Sequence, residues 1–140
     1  MTKYTAEEQP KIRLKRFNVI NIKFNIEEAE WGNRDVFNSS EYSVSFKLLD
    51  REKDFFDIVF DITLKGENRA FLLETSFLAS FESKGVEVND KYLESPLIKH
   101  NAPAIVFPFI RAFLSTIMLN AGYNPIILPS FNFHSQKEIK

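Results

Sequence analysis

Cysteine is absent from the 140 residues of this chain. That absence excludes disulfides, thiolate metal sites and cysteine nucleophiles together. It is compatible with a reducing, cytoplasmic setting. Histidine is nearly absent. His100 and His134 have no carboxylate spacing beside them that would make a metal site. The four glycines form no phosphate-binding loop. An excess of one charge is also lacking. Eighteen basic residues stand against 19 acidic ones, a net charge of -1. Such a balance argues against a nucleic-acid partner held by bulk electrostatics.

Chemistry is missing as well. Ser39 and Ser40 sit in no nucleophile elbow. Asp57 and Asp61 share a strand face but stand roughly 13 Å apart. The catalytic carboxylates of a glycosidase are closer than that. Lys11, Arg13, Lys15 and Lys23 fall on one face of the first strand, beside Phe17. A solvated strand face explains them better than a nucleic-acid platform. The sequence therefore predicts no enzyme, no metal and no cofactor.

The N-terminus, MTKYTAEEQPKIRLKRF, has no apolar signal-peptide core. Residues 1–10 read as a disordered tail ending at Pro10. What the chain does have is apolar and aromatic mass: 44% apolar residues and 15 phenylalanines. That supports a packed core, and equally a surface that meets apolar partners.

Alternation at period two marks the strands. Ile12, Leu14, Ile20, Ile22, Phe24 and Ile26 share one face of a first segment, with Phe17 and Val19 turned the other way. It reads as one long strand, or as two joined at a bend near Arg16. A polar loop follows over 27–41, with Trp31, Val36 and Phe37 as its apolar exceptions. Tyr42, Val44, Phe46 and Leu48 line a second strand. Phe56, Ile58, Phe60, Ile62 and Leu64 line a third, and Phe71, Leu73, Phe77, Ala79 and Phe81 a fourth. The turn over 65–68 gives Gly66 as the residue able to take positive φ. Short connections make the last three strands antiparallel neighbours.

Beyond residue 83 the period changes. A connection with a helical turn around 90–95 leads to a long helix. Asn101 is its expected cap, Pro103 its first-turn proline and Gly122 its stop. Val106, Phe109, Ile110, Phe113 and Ile117 form its stripe, and Leu114 and Met118 widen it. This helix is apolar nearly all round, yet one sheet needs only one apolar side. Its reverse must meet a second helix, another subunit or a client. A membrane span is the competing reading, but Arg111 near the middle would be costly in lipid. The expected fold is α+β: a four-stranded antiparallel sheet carrying one long helix on one face, with room for a short second helix. Residues 11–134 form the domain, and 135–140 a C-terminal tail.

The stretch "IVFPFIRAFLS", its glycine turn and the ending "ILPSFNF" resemble the signature of the SecB family. "NRAFLLETSFLASFE" resembles that family's last strand. The resemblance covers about residues 12–134. It implies a SecB-like export chaperone of the cytosol, working without ATP or any cofactor. It implies a dimer of dimers with Phe109, Phe113, Leu114 and Ile117 at the oligomer interface. Unfolded or precursor polypeptides would be the partners. Trp31, Phe37, Tyr42, Phe46, Ile126 and Leu128 are the client-binding residues it suggests. In the family, acidic residues on the outer sheet face dock the SecA motor. Here Leu72 and Glu74 match part of that surface, while Asn21 and Asn25 stand where acids are expected. The chain ends "HSQKEIK", without the family's acidic tail. SecA targeting is therefore doubtful. A dedicated chaperone of one partner, such as an antitoxin, is the second reading. A small-ligand domain or scaffold is the third.

Overall fold

The computed structural model describes residues 11–85 and 87–128. Four strands make one antiparallel sheet: β1 (Lys11–Ile26), β2 (Ser40–Arg51), β3 (Phe55–Gly66) and β4 (Phe71–Lys84). Their spatial order is β1-β4-β3-β2, so β1 and β2 are the two edges. A short helix α1 (Asp90–Leu93) and a long helix α2 (Ala102–Asn120) follow. This is the α+β fold expected from the pattern of elements. The expected tails at 1–10 and 135–140, and a second helix near 132–140, lie outside the described residues.

One sheet face carries the core. Its rows are set by register: Leu64 lies between Tyr42 and Leu73, and Leu73 is followed by Phe24. Unbroken alternation in β3 and β4 puts Phe56, Phe60, Phe77 and Phe81 fully inside. Their rings pack on one another. Phe56 stacks on Phe81 at 5.2 Å and Phe17 on Phe77 at 5.4 Å. Among the described phenylalanines only Phe55 and Phe109 are exposed. The aromatic surplus is therefore mostly core, each buried ring contributing about 1.5–3 kcal/mol.

β1 corrects the expected strand faces. It is a single strand, but its register slips between Leu14 and Arg16 and again between Val19 and Asn21. Each slip is a bulge, and each flips the side-chain alternation. Phe17 and Val19 thus join the core face opposite Ala79 and Phe77. Ile20, within the second bulge, is exposed. The bend expected near Arg16 is the first of these bulges.

The β3–β4 turn also differs. Gly66 has an ordinary φ of -86°. Asn68 and Arg69 hold the positive φ values, 54° and 61°. Gly66 is needed for space instead: a Cβ there would lie 2.6 Å from the Phe71 ring.

α1 forms where a helical turn was expected, with the Asn89 side chain accepting from the Tyr92 amide at 2.8 Å. Asn101 is not a cap. Its backbone is already helical, and a wide π-type turn at Leu97–Asn101 runs into α2. Pro108 lies inside α2, past the first turn. The helix end matches the expectation. Gly122, at φ 99°, donates to the Leu119 carbonyl and Tyr123 donates to Met118. That pair of bonds is a Schellman stop. Leu97–Asn120 is long and apolar enough to cross a membrane by composition. Here Val106, Phe107, Ile110, Leu114 and Met118 are instead buried in the domain's core.

Candidate functional site

After its stop, the chain turns back and is stitched to the β1–β2 connection. The Tyr123 hydroxyl donates to the Trp31 carbonyl at 3.2 Å. The Asn124 amide donates to the Arg34 carbonyl at 2.7 Å, and its side chain to Asp35 Oδ1 at 2.7 Å. Beneath these bonds the Phe37 ring meets Tyr123 edge-on at 5.8 Å and Phe71 at 4.7 Å. The connection is itself tied down, since Trp31 Nε1 donates to the Ile26 carbonyl at 2.9 Å.

This stitching sorts the six expected client residues. Trp31 is 63% exposed and Tyr42 41%. Phe46 and Ile126 are half-buried. Phe37 and Leu128 are corrections, because both are buried in the core and present no surface to a client. Phe37 has no polar atom to keep at a wet surface, whereas the Trp31 indole does. The sequence reading missed Ile127, which is 82% exposed. Alternation along the extended "IIL" segment holds the signal. If Ile126 and Leu128 turn inward, Ile127 turns out.

The reverse side of α2 lies beside the β1 edge. Phe109 is 51% exposed there, and its ring stands 5.8 Å from Phe17. Phe113 and Ile117 are half-buried against the core. Leu114 is a correction: it lies on the buried stripe of the helix and is not available to another subunit. Ile105, Val19 and Ile22 extend the exposed patch instead. Val19 joins it only because the bulges turn it to that side.

The opposite sheet face is polar. Glu74 lies between Lys23 and Thr63, and Leu72 between Asn25 and Lys65. Asn21 and Asn25 are exposed on the same strand. Among the described residues no group of three histidines or carboxylates could hold a metal ion. A hollow of about 390 Å³ is open and lined by Lys15, Arg16, Arg51, Glu52 and Asp57 among others. Burial pushes the Tyr92 hydroxyl above 10.0, partly offset by its hydrogen bond from Ser83. Both side chains are buried.

The sheet thus has one covered face, and exposed apolar side chains stand beside the β1 edge (Val19, Ile22, Phe109) and at Trp31 and Ile127. The family profile described as "Preprotein translocase subunit SecB" matches residues 5–136. The chain belongs to the SecB family, whose members are chaperones without catalytic chemistry. The protein-export protein SecB of Magnetococcus marinus is 25% identical over 109 residues, covering 71% of this chain and 67% of that one. An uncharacterized protein of Methanocaldococcus jannaschii is 28% identical over 130 residues, covering 90% of this chain and 83% of its own. A solved SecB-like chaperone of Mycobacterium tuberculosis, in complex with a peptide from the HigA1 antitoxin, shares the fold. Its TM-score is 0.65 at 11% identity, over 86% of this chain and 90% of that one.

Proposed function

We propose that this protein is an ATP-independent holding chaperone of the cytoplasm. It binds extended, apolar segments of unfolded polypeptides along the helix-bearing side of the sheet. The observation that carries this reading is the apolar surface left open where the β1–β2 connection meets the post-helix segment. Trp31 and Ile127 are far more exposed than a core would leave them. Each apolar side chain covered there is worth about 1.5–3 kcal/mol. Tyr42, Phe46 and Ile126, exposed or half-buried, are the further contacts. Binding of this kind lowers the concentration of free unfolded chain and so slows its self-association, with no cofactor needed.

Two assembly contacts fit the same reading. Phe109, Phe113 and Ile117, joined by Ile105, Val19 and Ile22, offer a subunit interface for a homo-oligomer, a dimer of dimers. SecA contact through Leu72 and Glu74 is expected to be weak. Asn21 and Asn25 carry no charge, and Lys23 sits directly across from Glu74. An export role is accordingly less favoured than a dedicated one, with a single strong partner such as an antitoxin. The antitoxin peptide held by a protein of the same fold favours that reading.

Suppression of aggregation tests both. Broad suppression over several unrelated unfolded proteins supports a general holdase. Suppression confined to one partner supports the dedicated chaperone. Failure with all of them refutes the proposal. Calorimetric titration with SecA should give weak or no binding, and submicromolar binding would overturn that expectation.

A further inference from the structure

The turn that joins β3 to β4 closes with the Ala70 amide donating to the Glu67 carbonyl at 3.0 Å. Both central residues, Asn68 and Arg69, hold positive φ. A two-residue hairpin loop of this kind favours Asn-Gly. Asparagine tolerates the left-handed region, but a long side chain such as arginine is strained in it. Backbone strain of this sort persists where a side chain serves a function. Here it keeps a cation over the end of the outer sheet face.

That end holds a hollow of about 350 Å³, within the size range of ligand sites. Lys23, Lys65 and Arg69 line it around Leu72, and Glu27 is the one carboxylate in the lining. The register explains the grouping. Lys65 lies directly across from Leu72 on one side, and Lys23 is one row along on the other. None of the three cations joins an ion pair among the described residues. All three are exposed. Three exposed cations against one lining carboxylate, about one aliphatic side chain, suit a partner with the opposite charges and an apolar contact of its own.

We propose that this hollow docks an acidic peptide segment carrying an apolar residue. The apolar side chain seats on Leu72, and carboxylates reach Lys23, Lys65 and Arg69. A nucleic acid fits less well. A phosphate backbone has no apolar group to seat on Leu72. The site lies on the face of the sheet opposite α2, so it is independent of the apolar surface assigned to clients.

Fluorescence anisotropy of a labelled ELEELE peptide against the full chain tests it. Binding is expected at about 20 mM salt and should weaken at least about tenfold at about 200 mM. The double variant Lys65→Glu/Arg69→Glu should lose at least about tenfold in affinity. Arg69→Asn should weaken binding without lowering Tm, because asparagine suits the turn. Leu72→Ser should weaken it with little change in the salt dependence. Aggregation suppression should survive all of these substitutions. Three results would each overturn the proposal: no binding of ELEELE at low salt, affinity unchanged in the double variant, or equal or tighter binding of KLKKLK or a hexathymidylate. Loss of aggregation suppression by the unmodified chain would count against the holdase reading and leave the acidic-peptide site standing.

Discussion

Trp31 and Phe37 sit six residues apart in one polar loop and have opposite fates. Trp31→Ala removes exposed surface and one hydrogen bond to the Ile26 carbonyl, and should cost no more than about 1 kcal/mol. Phe37→Ala leaves a cavity under Tyr123 and Phe71, and should cost about 3–5 kcal/mol. Urea unfolding of the two variants measures that contrast. Gly66 is constrained by space alone. Gly66→Ala pushes a methyl into the Phe71 ring and should destabilise by about 1–3 kcal/mol, although the backbone there suits any residue. Tyr92 gives a pH dependence. Its folded hydroxyl titrates above the unfolded value of 10.0. Its contribution is therefore complete below that value and is lost as pH rises through the folded one. Unfolding midpoints taken at about pH 8 and about pH 11 should fall less in Tyr92→Phe than in the unmodified chain. An equal fall in both would remove Tyr92 as the cause.

At the scale of elements, β2, β3 and β4 were readable because period-two alternation runs through them over the core-facing rows. β1 was readable as a strand but not in its faces. A bulge adds one residue without any marker in composition, so Phe17 and Val19 seemed to point away from the core. The helix end announced itself through Gly122, whereas its start did not. Asn101 looks like a cap, but the preceding wide turn already supplies a helical entry. The same limit applied to the site. Helical spacing identified α2 as too apolar for one sheet, yet spacing alone could not separate Leu114 from Phe109. Only the angle at which the helix sits on the sheet does that. The exposed side of α2 carries its own prediction. Phe109→Asp should shift the oligomer to smaller species in analytical ultracentrifugation while leaving the fold intact. An unchanged mass would show that the subunits meet elsewhere.

For the whole molecule, the two sheet faces divide the work. The face under α2 holds the core, and its margins leave Trp31, Phe109 and Ile127 exposed. The other is polar, and Lys23, Lys65 and Arg69 group at its β3–β4 turn end. The direct measurement is suppression of light scattering from a chemically unfolded test protein as it is diluted into buffer, with the unmodified chain and the double variant Trp31→Ala/Ile127→Ser compared at equal concentration. The account predicts that the unmodified chain suppresses scattering without ATP, and that the variant, still folded, does so at least about tenfold less well. Equal suppression by both would contradict the assignment of that surface.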